Sequence, residues 1–277
     1  MITQEKMPKR FKNKMVIISI FIIGMMVIFS FLAPILSPND PNEVDLTNKL
    51  LEPSKSFPLG TDHLGRCILS RLLYGTKVSL GTAVITMVIT IIISVMVGTF
   101  SGYKGGYIDS IIMRLCDMIL AFPSLVLTLV IIGMLGPGLK NLMIAMIAVQ
   151  WVWYARMIRG MVLSFKEKNF ILSAKVSGSS DFKIIFEHIL PNVLPQIIVL
   201  ATLDLGKVIL HISGFSFLGL GVQPPDPEWG AMLNDGRQFI RSNPSLMMYP
   251  GMMILMTVIS FNLIGDALRD VLEEKNY

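Results

Sequence analysis

Charged side chains are scarce in this chain of 277 residues, at 16%, against roughly a quarter in ordinary soluble domains. Cysteine is nearly absent, with two residues, and histidine is held to three. Two cysteines cannot make a disulfide scaffold. Metal-binding spacing such as Cys-x-x-Cys does not occur. Cys116 lies in an apolar segment and Cys67 in a polar one, so both read as unpaired structural residues. Catalytic motifs are missing as well. There is no Gly-x-x-x-x-Gly-Lys-Ser/Thr phosphate loop, because Gly206-Lys207 is followed by Val208 and lacks the upstream glycine. Neither Gly-x-Ser-x-Gly, His-Glu-x-x-His nor Gly-x-Gly-x-x-Gly is present. Gly214-Phe215-Ser216 stands near His211, but on the same helical run rather than a facing one, so a serine protease is not read from it. Internal repeats and low-complexity tails are also lacking.

What fills the chain is apolar: 53% of residues are hydrophobic and the mean hydropathy is +0.64. The twenty methionines read as flexible apolar filler rather than as a copper-handling set. A membrane-spanning helix needs ~20 mostly apolar residues. Six runs qualify: 15–36, 78–101, 108–135, 140–163, 193–221 and 248–268. The first follows a basic stretch, as in a signal peptide. It is longer than the ~7–15 residues of a typical secretory core, and Ala33-Pro34 is a poor cleavage site, so it reads as a retained span. The chain is therefore expected to be an all-α integral membrane protein with six transmembrane helices. The net charge of +5 is explained by where Lys and Arg flank these spans, not by nucleic-acid binding. With six spans, 14 basic residues fall on the side of both termini and 8 on the other, which puts both termini in the cytoplasm. The expected division is a cytoplasmic N-terminus 1–14, a first span 15–36, an external loop 37–77, a core 78–268 and a cytoplasmic C-terminus 269–277.

The loop 164–192 is too long for a simple turn. Its middle, Val176 to Asp181, is rich in Ser and Gly and reads as a turn, with Asp181 capping a helix from Phe182. Ile184, Ile185, His188 and Ile189 recur at helical spacing, and Pro191 and Pro195 flank the expected helix end. This helix–turn–helix outside the membrane suits either an amphipathic hairpin on lipid or a docking element for a cytoplasmic protein. Ionisable groups inside spans are costly, ~2.5–3.5 kcal/mol each at mid-helix, and usually face a bundle interior or a pathway. Asp204, Lys207 and His211 fall on one stripe of the fifth run, so a self-neutralised structural pair, a pathway or gate, and a weak metal site at His211 and Asp204 all stay open. Arg114 and Asp117 are expected to pair in the third run, and Pro123 to kink it. Gly214, Gly219 and Gly221 loosen the end of the fifth.

Several segments taken together resemble one family. Phe57-Pro58-Leu59-Gly60-Thr61-Asp62-His63-Leu64-Gly65-Arg66-Cys67-Ile68-Leu69-Ser70-Arg71 is similar to the signature of dipeptide, oligopeptide and nickel ABC importer permeases. So are Tyr74 to Leu80, Ser216 to Gly221, Glu228-Trp229-Gly230 and Gly265 to Asp270. The likeness runs from about residue 15 to 272. Cys67 stands where the family usually has Asp. Trp151 to Arg159, Val199 to Gly206 and Leu210-His211 make the chain look closest to the C subunit of nickel importers.

The resemblance implies a type I ABC importer permease fold whose cytoplasmic hairpin is the coupling loop. Ser173, Ala174, Gly178, His188, Leu190 and Pro191 match that loop's motif, with Leu172 in place of its leading Glu. It implies a non-catalytic subunit that binds no cofactor itself, with ATP and magnesium on partner subunits. The implied partners are a paralogous permease in a heterodimer, two cytoplasmic ABC ATPases, and an external binding protein that delivers cargo. Nickel is the expected cargo, alone or as a chelate, or cobalt or another transition metal. A dipeptide or oligopeptide is the alternative. A stand-alone secondary transporter or channel would also suit the charges in the spans, but leaves the hairpin without a purpose.

Overall fold

In a computed structural model the backbone is described for residues 9–275 and side chains for 14–272. Residues 1–8 and 276–277, parts of the two terminal segments expected in the cytoplasm, lie outside the described residues. The described chain is helical: α1 Lys9–Leu36, α2 Ile68–Lys104, α3 Gly106–Leu120, α4 Ser124–Leu135 and α5 Leu139–Lys166 come first. They are followed by α6 Asn169–Val176, α7 Asp181–Phe217, α8 Trp229–Gly236 and α9 Ser245–Lys275. Among the described residues the one strand-like pairing is an isolated bridge between Thr61 and Cys67. Five helices are long and apolar enough to cross a membrane, and the bent pair α3–α4 makes a sixth if taken as one span. In lipid only helices of this kind satisfy their own backbone groups.

The chain divides into two compact units. The first holds residues up to Ala83 and from Thr202 onward; the second is Val84–Ala201. In the first, α1 and α8 both pack on α9. Thr257 Oγ1 donates to the Met253 carbonyl and lies 3.3 Å from Met26 Sδ, in the buried seam between α1 and α9. Glycines let α7 and α9 approach. A Cβ on Gly265 would sit 2.6 Å from the Leu203 side chain, and one on Gly206 would sit 3.3 Å from the Val258 carbonyl oxygen. In the second unit, α3 and α4 both pack on α5. Leu142, Ala145, Val152, Ala155 and Val162 of α5 are fully buried there.

The helices differ from the expected runs at several points. The helix that carries the second run starts at Ile68, well before 78, because Arg71, Thr76 and Lys77 lower the hydropathy of turns that are helical all the same. Pro123 does more than kink the third run. The helix stops at Leu120 and resumes at Ser124 with an 87° bend, since proline offers no N–H and disfavours helical geometry in the residue before it. Pro191 and Pro195 do not flank a helix end; both lie inside α7. The chain passes Pro191 by widening into a π turn over Ile184–Ile189, where Leu190 N–H bonds to the Ile185 carbonyl. The His188 carbonyl is taken by Asn192 Nδ2 at 2.6 Å. Such π turns recur at functional sites. At its far end α7 stops at Phe217 rather than 221.

The Glu228-Trp229-Gly230 segment explains its own residue types. Glu228 is fully buried and caps α8 by accepting from Ala231 N–H at 2.9 Å. The hydroxyls of Ser79 and Ser213 lie 3.2 and 3.4 Å from its other carboxylate oxygen. Trp229 is fully buried, and a Cβ on Gly75 would touch its indole at 3.4 Å. A Cβ on Gly230 would fall 2.2 Å from the Ser213 carbonyl oxygen. Gly230→Ala is therefore expected to cost about 1–3 kcal/mol through overpacking. Gly81→Ala, where a Cβ meets nothing within 4 Å, should leave stability unchanged or slightly raised. Thermal unfolding of the purified protein in detergent checks the contrast.

Candidate functional site: a charge-locked loop, a hairpin and a polar stripe

The loop 37–67 is folded back on itself. Asp45 N–H bonds to the Leu64 carbonyl, Leu50 N–H to Asp62, and Thr61 N–H to Leu51, at 3.0–3.2 Å. Thr61 Oγ1 donates to the Asn48 carbonyl and accepts from Leu51 N–H. The two chain segments come so close that a Cβ on Gly65 would overlap the Asp45 carbonyl oxygen. Gly65 also has φ +79°, and Gly60 φ +80°, a region that side chains disfavour. The glycines quoted above for the family likeness are thus required by geometry. Half-buried Asp45 accepts from the Thr47 hydroxyl and amide, and mainly this hydroxyl bond holds its carboxyl below the usual range.

Beneath the loop lies a buried four-charge cluster. Asp62 accepts from the amides of Leu64 and Arg66 and from Arg66 Nε at 2.6 Å. Arg66 continues to Asp235 at 2.8 Å. Arg71 Nε lies 3.7 Å from Asp62 and its NH2 3.9 Å from Asp235, while NH1 donates to the Pro41 and Pro225 carbonyls. Two arginines and two aspartates neutralise one another, and both arginine side chains are 3% exposed. Sequence reasoning quoted Asp62, Arg66 and Arg71 for the likeness but gave them no role, and it passed over Asp235. The 62/66 spacing of opposite charges was the available signal. Asp62, His63 and Asp235 bring metal-capable atoms within 4.8 Å of one another. Both carboxylates are already held by guanidinium groups, and the His63 ring stacks on Phe239 at 5.6 Å with its Nδ1 buried and without a hydrogen-bond partner.

The hairpin following α5 is formed by α6, a turn, and the first turns of α7. Gly178 makes the turn with φ +81° and open space around it. Ser173, Gly178 and Pro191 are exposed; Ala174, His188 and Leu190 are half-buried. Ile171, Ile184 and Ile189 are buried and anchor the hairpin to its unit. The cap of α7 is Ser180, whose Oγ accepts from Lys183 N–H at 3.3 Å, not Asp181. The Asp181 carboxylate instead bonds to Tyr103 and Lys104. A distant phenol and ammonium outcompete a local cap because they give it charge-assisted bonds. Asp117 likewise takes Arg156 of α5 as its partner at 2.8 Å, not Arg114. Asp109 receives both Arg159 nitrogens and Ser101 Oγ. The largely buried Asp109–Arg159 pair ties α3 to α5, and the more exposed Asp117–Arg156 pair adds little.

On α7, Lys207 Nζ lies 2.6 Å from Asp204 Oδ1. Lys207 is exposed and Asp204 and His211 are half-buried, with their stripe intact on one helix. The methionines do show two Met-x-x-Met spacings, Met143/Met146 and Met253/Met256. Met146 is buried in the second unit's core, so the first is packing.

A membrane bundle of this kind, with a broken third span and a helical hairpin leading into a long fifth, has a solved counterpart. Inward-facing conformations of the MetNI methionine ABC transporter match with a TM-score of 0.60 and 18% identity, over 74% of this chain and 97% of that one. The fold is that of a type I ABC importer permease. Residues 94–276 match the family described as binding-protein-dependent transport system inner membrane component, and 9–53 match the N-terminal TM domain of oligopeptide transport permease C. The chain belongs to this family and is a multi-pass ABC importer permease. Its relatives include the nickel transport system permease protein NikC of Escherichia coli K12, 41% identical over 92% of both chains. The metal-staphylopine import system permease protein CntC of Staphylococcus aureus is 45% identical, over 95% of this chain and 91% of that one. The dipeptide transport system permease protein DppC of Alkalihalophilus pseudofirmus is 42% identical, over 95% and 87%. Permeases of this family are non-catalytic and work with ATPase and binding-protein partners, the ATPases hydrolysing ATP. The stand-alone transporter or channel is set aside.

Removing Arg66 would leave two carboxylates buried or half-buried without their main partner. Arg66→Ala is expected to cost about 3–5 kcal/mol, and Arg66→Ala with Asp62→Ala less than the sum of the singles. Chemical or thermal unfolding of the wild type, the two single variants and the double variant in detergent measures both.

Proposed function

We propose that this chain forms half of the translocation pathway for a transition metal, nickel first, carried as a chelate. The observation that carries this reading is the pair of relatives named for nickel and for metal-staphylopine import, each similar over more than nine-tenths of both chains. The stripe on α7 supports a chelate over a bare dication. Its outermost charge is the Lys207 ammonium, and Asp204 is already neutralised by it. A chelate brings its own donors and needs only a polar, weakly charged path. Cobalt and other transition metals would pass by the same chemistry. A dipeptide is the second reading, favoured by the 42% identity to DppC.

In this reading the chain pairs with a paralogous permease and sits on two cytoplasmic ATPases, which hold the ATP and magnesium; the chain itself binds no cofactor. Segments 1–14, 164–192 and 269–277 face the cytoplasm, and 37–77 faces the binding protein. ATP binding draws the two ATPases together, and Ser173, Ala174, Gly178, His188, Leu190 and Pro191 pass that movement into the spans. Asp204, Lys207 and His211 line the pathway or its gate. Each state change requires the two conformations to differ in affinity for nucleotide and cargo.

Gly178→Asp is expected to abolish uptake while the protein reaches the membrane in normal amount. The position has open space, and Asp tolerates left-handed backbone, so the fold survives while the docking surface changes. Normal uptake by this variant would overturn the hairpin assignment. Cargo is tested by radioactive nickel uptake at nanomolar metal in a strain lacking other nickel importers. Deletion should abolish nickel uptake with dipeptide uptake unchanged, and His211→Ala should lower it several-fold. Undiminished nickel uptake in the deletion strain would assign the pathway to short peptides.

A further inference from the structure

Three helix ends meet in one polar knot within the second unit. α2 ends at Lys104, α5 ends at Lys166 and α7 begins at Asp181. Helix ends leave carbonyls and N–H groups without internal partners. Here Lys166 Nζ donates to the Tyr103 carbonyl at 2.6 Å and stands 5.5 Å from the centre of the Tyr103 ring. Tyr103 Oη donates to Asp181 Oδ1 at 2.8 Å, and Lys104 Nζ lies 3.1 Å from Oδ2. Tyr103 is 6% exposed, whereas Lys104 and Asp181 are each about half exposed.

None of these contacts is needed to form the helices themselves. Ser180 already caps α7, so the Asp181 carboxylate is available to another element. An exposed Lys–Asp pair is screened and holds little. A phenol fixed by burial, with its own carbonyl tied to Lys166, gives a directional bond that resists sliding and rotation. The rigid partner in the knot is therefore Tyr103, and the element it grips is the first turn of the hairpin's second helix.

We propose that Tyr103, Lys104 and Asp181 form a latch through which displacement of the α6–α7 hairpin reaches α2, so that α2 moves with the hairpin besides α5 and α7, which the hairpin joins. The inference rests on the hairpin being the ATPase contact. Tyr103 and Asp181 are positioning residues, remote from nucleotide and cargo. The latch gives the ATPases a hold on a third span besides the two that the hairpin joins.

The test uses the whole transporter in liposomes with its binding protein, recording radioactive nickel uptake and ATP hydrolysis together. Tyr103→Phe and Asp181→Asn should each lower nickel taken up per ATP hydrolysed several-fold, with membrane yield and melting temperature unchanged. The double variant should be no worse than Asp181→Asn alone, because Asp181→Asn weakens the contacts of Asp181 with both Tyr103 and Lys104 and Tyr103→Phe removes only the first. Asp181→Glu should restore part of the ratio. Gly178→Asp is measured beside them. If Gly178→Asp transports normally, the hairpin reading itself fails. If Gly178→Asp is inactive while Tyr103→Phe and Asp181→Asn keep the wild-type ratio, the latch alone is overturned. Uptake and ATPase falling in parallel with yield would also overturn it, since that is the behaviour of a merely structural contact.

Discussion

A backbone group shut away from water, in hydrocarbon or inside the protein, must find its hydrogen-bond partners within the protein itself. The permease obeys this constraint at each irregular point. The α3–α4 break leaves the chain for three residues, and Ala121 and Phe122 N–H groups return to the Asp117 and Ile119 carbonyls. The π turn in α7 lets Leu190 reach Ile185 and recruits the Asn192 amide for the His188 carbonyl. The loop 37–67, with no regular strand or long helix of its own, pairs its two halves edge to edge instead. Residue types that look idiosyncratic in the sequence, such as Gly60, Gly65 and Asn192, are the ones that make these repairs.

Charge obeys a related rule. Buried ions are tolerated when neutralised and hydrogen-bonded, and removing one partner is costly. Asp62, Arg66, Arg71 and Asp235 form such a set around the loop. Asp109 with Arg159 forms another along α3 and α5, while Asp117 and Arg156 pair with both side chains about half exposed. The paired sets lie where α2 begins and where α3 and α5 run together. The Lys207–Asp204 pair on α7 joins an exposed cation to a largely covered carboxylate. An exposed ammonium on a membrane helix is costly unless something polar covers it, and that is the physical basis for placing cargo or a partner helix there.

Much of the fold was legible because hydropathy is a long-range average: six apolar runs reappear as five long helices and one bent pair. Local chemistry was less legible. Spacing alone suggested Arg114 for Asp117 and a cap role for Asp181. Both aspartates instead bond to residues brought in by packing, Arg156 from α5 and Tyr103 from α2. Prolines misled for a different reason. Their cost is local, but the register shift that absorbs it at Ile184–Ile189 leaves no composition signal. The four-charge cluster was half visible, since Asp62 and Arg66 are four apart, while Asp235 is separated from them by most of the chain. The hairpin was recognisable from its turn and its isoleucines, and Ile184 and Ile189 are indeed its buried anchors.

Helix length ties these observations together. α2 and α7 each run for 37 residues, ~55 Å at 1.5 Å per residue, where ~20 residues cross the hydrocarbon. Each therefore extends well past what spanning requires. On α2 the surplus carries Arg71 at one end and Tyr103 and Lys104 at the other. On α7 it carries the hairpin's second helix, continuous with the stripe at Asp204 and His211. A break would absorb displacement locally, as the 87° bend between α3 and α4 can. An unbroken helix passes it along its length. Among the described residues the one sharp break between spanning helices falls in the third span, whereas α2 stays helical throughout and α7 stays continuous through its π turn despite two prolines. That choice is intelligible if movement entering at the hairpin has to arrive undiminished at a polar stripe some seven helical turns away.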